Sequence, residues 1–171
     1  MALSLLIEHV LDATKAYVLA GLAAQLTLVD ADAVAAGKAS ITITAPASGQ
    51  IYIGTTQYDT TQPLPGHLLL LLDVIRTEWI DRTSDRRRYF LMLGAMLDND
   101  SGQEETLTRM LSRLGAALVR LFEVDGTLDG AGGIYATRVT AVDWGGVSSG
   151  RNALFGSFEL SLEMDVSEAS A

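Results

Sequence analysis

The sequence predicts a single α+β domain over residues 1–171, built from an antiparallel or mixed β-sheet with a long β-hairpin and two main flanking α-helices. Two segments repeat apolar residues at the three- and four-residue spacing of helices, whereas others alternate apolar and polar residues as strands do. Short turns join the strands in the order helix, hairpin, long hairpin, helix, two strands, which is typical of α+β domains. The length suffices for one core, and no cysteine is present to form disulfides.

The first predicted element is an amphipathic helix over residues 2–25. Glu8, Asp12 and Lys15 lie opposite its broad apolar face. The apolar face comprises Leu3, Leu6, Ile7, Val10, Leu11, Thr14, Val18 and Leu22. Because these charges interrupt the apolar residues and no basic region precedes them, we expect neither a signal peptide nor a membrane partner.

A short hairpin is predicted over residues 40–58. The segment "SITITAP" alternates β-branched and polar residues, the turn-forming letters "ASGQ" follow it, and "IYIGTTQY" again has strand composition.

A long hairpin is predicted over residues 67–97. The segment "HLLLLLDVIRTEWID" begins with an apolar run, for which a buried helix is the rival interpretation, and "RRRYFLMLGAML" returns after the turn "RTSD". A turn centred on Thr83 and Ser84 sets Asp81 opposite Arg86, Trp79 opposite Arg88 and Glu78 opposite Tyr89, all favourable pairs. We therefore expect the hairpin tip to project beyond the sheet.

The remaining elements are a helix over residues 102–123, strands over 134–144 and 153–166, and a polar tail over 167–171. Leucine, methionine and phenylalanine recur at helical spacing in the first segment. In the last strand, alternate residues form an apolar face and an acidic face that carries Glu159, Glu163 and Asp165.

Composition narrows the classes of partner. The net charge of −9 and the isoelectric point near 4.5 argue against sequence-specific nucleic acid binding, which needs cationic surface. A hydrophobic content of 49% is high for a chain of this size, and self-association is one way to cover the excess apolar surface.

No motif predicts a catalytic residue, a cofactor or a metal. The glycine-rich "DGAGG" follows a helix and precedes a strand, the reverse of a phosphate-binding loop. "DNDSG" lacks the later ligands of a calcium loop, and neither His9 nor His67 has a nucleophile and an orienting acid nearby in sequence. We therefore expect that the protein is not an enzyme.

Five of the twelve basic residues gather between Arg76 and Arg88. Three interpretations remain open for this arginine cluster: a charged strand edge that prevents unwanted pairing, a nucleic acid patch, or a protein interface that meets the acidic face of a neighbouring copy or another protein. The interface hypothesis names Trp79, Asp81, Arg82, Arg86, Arg87, Arg88, Glu159 and Glu163.

The layout as a whole resembles a known family. A proline-marked entry, "PLPGHLLLLLDVI", leads into the long hairpin, and the second helix ends in "LVRLFEVDGTLDG". The last strands are "ATRVTAVDWGGVSSGRNALFGSFELSLEMDV". In order and pattern this chain is similar to the tail-terminator and related neck proteins of long-tailed bacteriophages and phage-like particles.

The resemblance implies a structural virion protein that is assembled in the bacterial host cytoplasm and located in the tail or neck. Its copies would form a homo-hexameric ring that caps the tail tube and joins it to the head connector. The alternatives are another neck or head-completion adaptor ring protein and, from a different class, a small-ligand-binding or enzymatic α+β domain with His67 and the glycine-rich loop near a pocket.

Overall fold

The structure is a computed structural model, and it describes residues 3–54, 68–81, 85–99, 103–128, 133–149 and 154–167. The helices are α1 (Leu3–Ala35) and α2 (Glu104–Val124). The strands are β1 (Ile51–Ile53), β2 (Leu68–Asp81), β3 (Arg86–Asn99), β4 (Ile134–Ser149) and β5 (Leu154–Ser167). The described strands form one mixed sheet in the order β1, β2, β3, β5, β4, with β1 parallel to β2 and the other pairs antiparallel. The predicted α+β class is confirmed.

Both helices cover the same face of the sheet, which we call the helix face. Alternate residues of β5, from Phe158 to Val166, point to this face and are at most 1% exposed. They pack in one core with Leu114 and Leu118 of α2 and with residues of α1 such as Leu22. The opposite face, which we call the second face, carries the other residues of each strand, among them the acidic residues of β5.

Helix α1 is ten residues longer at its C-terminal end than the predicted helix over residues 2–25. Alanine-rich sequence after Gln25 has high helix propensity, so nothing stops the helix before Gly37. Gly37, at φ +77, ends it in a Schellman motif: its N–H donates to Val34 O, and the N–H of Lys38 donates to Ala33 O. The predicted helix ends at residue 25 because the apolar stripe fades there.

The predicted apolar stripe of α1 is confirmed where side chains are described. Val10, Thr14, Val18 and Leu22 are at most 1% exposed. In the described part of the chain, the segment Ile7–Ala35 is long and apolar enough to cross a membrane by length and composition. Since a core helix of a soluble protein can meet the same criterion, the expected absence of a membrane partner stays a prediction.

The short hairpin predicted over residues 40–58 is wrong in its described part. The segment before Ser48 has no regular secondary structure, and β1 contains only three residues, parallel to β2. Asp30 explains the difference, because it accepts hydrogen bonds from Ser40 Oγ at 2.6 Å and from Ile41 N at 2.8 Å and so holds the segment against α1. Residues 55–58 lie outside the described residues.

Arg113 of α2 completes this anchor. Its guanidinium forms an ion pair with Asp30 and donates to Ala39 O at 2.6 Å. The hydrogen bonds from Ile41 N and Ser40 Oγ, together with Arg113, hold the pKa of Asp30 below its ordinary value, although partial burial opposes the shift. Asp30 thus fixes the chain between α1 and β1, a role that sequence pattern did not predict.

The long hairpin predicted over residues 67–97 is confirmed as β2 and β3. Asp81 pairs with Arg86 as expected, but Trp79 pairs with Arg87 and Glu78 with Arg88, one residue away from the predicted partners. A β-bulge between Trp79 and Asp81 causes this shift, since the extra residue Ile80 has no partner on β3.

The expected projecting tip falls on residues 82–84, which lie outside the described residues. Strand β5 follows β3 over its whole length and still pairs Ser167 with Arg86. The distal end of β3 therefore lies within the sheet.

The other boundaries agree closely, apart from β4. Helix α2 and strand β5 begin within two residues of their predicted starts. Strand β4, predicted to end at Trp144, continues to Ser149 through a bulge between Trp144 and Gly146. A Cβ at Gly145 would lie 2.4 Å from Ser157 Oγ, so glycine lets the strand stay close to β5 at the bulge.

Candidate functional site

The three consecutive arginines of β3 have different surroundings. Because side chains alternate along a strand, Arg86 and Arg88 point to the second face and Arg87 points to the helix face. The adjacent Tyr89, on the same side as Arg87, is fully buried in the core. The cluster that looked continuous in sequence is thus divided between two faces of the sheet.

Arg88 takes part in an ion-pair network within the chain. It donates from Nε to Asp165 Oδ1 at 2.7 Å and from Nη2 to Asp165 Oδ2 at 3.1 Å, the paired geometry that suits a carboxylate. The side chain of Asp165 is only 11% exposed. The hydrogen bond from Arg88 to Asp165 raises the pKa of the guanidinium, so Arg88 remains charged.

Arg138 of β4 and Glu163 of β5 extend this network. Arg138 Nε lies 3.2 Å from Glu163 Oε2, and Arg88 Nη1 lies 3.7 Å from the same oxygen. Two arginines and two carboxylates therefore neutralise one another across β3, β5 and β4. The arginine-to-acid contact that we had expected between copies is present here within one copy for Arg88, Glu163 and Asp165.

Arg87 and Arg86 instead contact aromatic rings. The guanidinium carbon of Arg87 lies 3.8 Å from the ring centroid of Trp79, so the cation–π contact predicted for Arg88 belongs to its neighbour. The guanidinium carbon of Arg86 lies 5.2 Å from the ring centroid of Tyr135.

These contacts form two clusters at one end of the sheet, Trp79 with Arg87 on the side of the helix face and Arg86 with Tyr135 on the side of the second face. We call the two clusters together the distal surface. It consists of Trp79, Ile80, Arg86, Arg87 and Tyr135. Trp79, Ile80 and Tyr135 are 44%, 42% and 39% exposed. Arg86 is exposed and Arg87 half-buried. The distal surface joins aromatic, aliphatic and cationic groups at one end of the sheet.

The outer edge of β2 beside this surface has no neighbour among the described residues. In the described ranges β1 pairs only with Leu70–Leu72, so the following residues Asp73–Asp81 have a ladder partner on the β3 side alone. Ile75 on this edge is 63% exposed, and Arg76 stacks on Phe90 with its guanidinium carbon 4.1 Å from the ring centroid. Unpaired strand edges with exposed apolar side chains are sites of protein association.

The internal network leaves fewer unpaired carboxylates on the predicted acidic face than the sequence suggested. Glu163 and Asp165 have arginine partners, whereas Glu159 remains exposed and lies opposite the exposed Asp143 of β4 in the ladder. Like charges directly opposite one another are unfavourable, so a cation at this point would relieve the repulsion.

Several sequence-predicted residues cannot be placed. Arg82 and His67 lie outside the described residues, as do residues 129–132 of the glycine-rich loop and residues 168–171 of the predicted tail. Only the backbone of Asp81 is described, opposite Arg86. Among the described residues, no group of three or more His, Asp or Glu side chains is arranged to hold a metal ion.

Sequence reasoning missed two components of the site. Tyr135 was assigned to a strand without a role, because its contact with Arg86 depends on the pairing of three strands. The sequence did not predict that the distal part of β2 would have only β3 as its described neighbour, although the exposed Ile75 and Ile80 were visible as breaks in strict alternation.

Comparison with protein families and with curated proteins gives no match for this chain.

Proposed function

We propose that this chain is a structural virion protein of a phage or phage-like particle, a tail terminator whose copies form a ring that caps the tail tube and joins it to the head connector. The order of elements supports the proposal, and the α+β fold agrees with it. The observation that carries it is the distal surface, where the exposed Trp79, Tyr135 and Arg86 and the half-buried Arg87 lie at one end of the sheet.

The composition of the distal surface suits protein docking. Tryptophan, tyrosine and arginine are the residues most often responsible for binding energy at interfaces. Here the two arginines already rest on aromatic rings, so docking would immobilise fewer free rotamers. In a chain of net charge −9, such a cationic and aromatic patch selects an acidic partner surface.

An acidic surface of this kind exists on the chain itself. Glu159 and Asp143 are exposed on the second face, distant in the ladder from Arg86. A contact between the distal surface of one copy and these carboxylates of the next joins two different patches, and such a heterologous contact closes into a ring when the rotation between copies permits it. Neighbouring copies, the tube protein and the connector are the proposed partners.

The test is the double variant Arg86→Glu/Arg87→Glu, which leaves Arg88 and its network intact. The variant should fold normally by circular dichroism, because both arginines lie at the distal end of the sheet and the Arg88 network stays intact. Co-expressed with the tail-tube protein of the same particle, the wild-type chain should give capped tubes of defined length and rings by electron microscopy. The double variant should give few rings and overlong tubes.

The matched control is Arg109→Glu, which reverses an exposed arginine of α2 that pairs with Glu105 at 2.5 Å. It should cap tubes like the wild type. Normal capping by the double variant would refute the role of the distal surface. A wild-type chain that forms rings and binds the connector but never the tube would identify another neck adaptor, and a monomer that binds neither would refute the proposed function.

A further inference from the structure

Trp144 of β4 borders an apolar groove on the helix-face side of the sheet. Its side chain is 56% exposed, more than that of any other described aromatic residue. The groove has a volume of about 260 Å³ and lies between Trp144 and Val147 of β4 and Thr108, Leu111 and Ser112 of α2. Since apolar cavities of about 150 Å³ bind a benzene ring, this groove has room for one aromatic side chain.

The position of the Trp144 side chain depends on several departures from regular structure. Gly115 lies within α2, where glycine is less favourable than alanine, and a Cβ there would lie 2.9 Å from Trp144 Cη2. Strand β4 has a bulge between Trp144 and Gly146, and Gly146 adopts φ +77. The ring of Phe158 supports the indole from below, with 5.2 Å between centroids. Departures of this kind around an exposed aromatic side chain are typical of a binding site.

Exposed carboxylates lie near the groove on both sides of the sheet. Glu104 precedes Thr108 by one helical turn on the same face of α2. Asp143 and Glu159 lie opposite each other on the second face, one rung from Trp144 in the ladder. We call Trp144, Glu104, Asp143 and Glu159 together the Trp144 corner. It combines an apolar groove with negative charge.

The distal surface has the complementary composition in the same arrangement. Trp79 and Arg87 lie on its helix-face side, and Arg86 and Tyr135 lie on its second-face side. Tyr135 and Trp144 are nine residues apart on β4, which corresponds to roughly 25–30 Å along a strand. The distal surface and the Trp144 corner are therefore too far apart to meet within one copy, and one copy can use both at once.

We infer that the distal surface of one copy docks on the Trp144 corner of the next, with the indole of Trp79 in the groove. On the helix-face side Arg87 then faces Glu104. On the second-face side Arg86 faces Asp143 and Glu159. The inference rests on the proposed function and identifies the receiving site of its ring contact. Because the two joined surfaces differ, the contact is heterologous and passes from copy to copy in one direction.

A side chain that fills the groove tests the receiving site. Ser112→Trp adds an indole at the exposed rim of the groove without changing a core residue. It should raise the dissociation constant for self-association about tenfold or more in sedimentation analysis of the chain alone. The matched control is Ala20→Trp, which adds the same side chain at an exposed position of α1 and should associate like the wild type. Circular dichroism checks that both variants fold.

Charge exchange tests the orientation of the contact. Arg86→Glu sets like charges against Asp143 of the next copy, and Asp143→Arg sets like charges against Arg86. Each single variant should therefore associate about tenfold more weakly or worse. An equal mixture of the two should form oligomers in which the variants alternate, because each copy then meets the opposite charge at both of its contacts. Native mass spectrometry detects the equal numbers of the two chains.

The inference is overturned if the wild-type chain is monomeric at its highest soluble concentration, or if Ser112→Trp associates like the wild type. It is equally overturned if the mixture of charge variants recovers no oligomers, a result that does not depend on Ser112→Trp folding. Capping of tail tubes is measured separately. Normal capping by Ser112→Trp refutes this contact and leaves the proposed function, whereas a wild-type chain that forms these oligomers but caps no tube refutes only the proposed function.

Discussion

The two halves of strand β2 have opposite roles. The proximal half, Leu68–Leu72, lies between β1 and β3, and four of its five leucines are at most 1% exposed. The distal half, Asp73–Asp81, keeps β3 as its described neighbour and exposes Ile75, Trp79 and Ile80. Both halves contain several apolar residues, so the difference lies in what surrounds them.

Hydrophobic content along a strand therefore does not by itself place a residue in the core. The proximal half has covered faces and neighbours on both edges, so its side chains stabilise the fold. In the described part of the chain, the exposed apolar side chains of the distal half contribute little to the fold and are available for association.

The largest expected effect tests the proximal half. Leu70→Ala should lower the free energy of unfolding by about 2–5 kcal/mol, because Leu70 is fully buried in the main core and its truncation leaves a cavity. Urea denaturation measures the loss. The control Ile75→Ala, at a side chain that is 63% exposed, should change stability by about 0.5 kcal/mol or less. Similar losses at both positions would remove the distinction between the halves.

A smaller effect is expected at Arg88 of β3, the strand that pairs with the distal half of β2. Arg88→Ala leaves the nearly buried Asp165 beside Glu163 with only Arg138 nearby, and should cost about 2 kcal/mol in the free energy of unfolding. Arg138→Ala is the matched control, and it should cost about 1 kcal/mol or less because Arg138 is 57% exposed. Equal losses in thermal or urea unfolding would show that Arg88 is no more important to the sheet than a surface residue.

The smallest effect is expected at the ion pair of Asp30, which is remote in sequence from β2. This ion pair serves as a reference for polar contacts that hold a loop. The folded-state pKa of Asp30 is lowered, so its charge stabilises the fold fully above the unfolded value near 3.8 and loses that contribution as the pH falls through the folded pKa. Asp30→Asn should lower the melting temperature slightly at neutral pH. The difference from the wild type should vanish below the folded pKa, and a constant difference at every pH would contradict this account.

The sequence predicted the fold through its long periodic segments. The β2–β3 hairpin, helix α2 and strand β5 were found because period-two and period-3.6 patterns are continuous over a dozen residues or more. The end of α1 was missed since a polar contact, Asp30 with Arg113, holds a region without an apolar stripe. "SITITAP" has strand composition, but tertiary anchoring overrode its propensity.

The candidate site was predicted in composition but not in arrangement. The arginine cluster and Trp79 were named correctly as neighbours, yet one bulge at Ile80 exchanged their partners. Bulges follow from pairing across the sheet and have no reliable local signal, so the sequence could not assign Arg88 to Asp165 or Arg86 to Tyr135.

The alternate orientation of the arginines has an evolutionary consequence. Substitution at position 88 disturbs the carboxylate at position 165, so among descendants of this chain these two positions should change together or remain constant. Arg87 points to the other face and Arg86 contacts Tyr135, so their selection would follow the surface of whatever docks there. Substitution at these three consecutive positions would thus be constrained in two ways, by the fold at position 88 and by binding partners at positions 86 and 87.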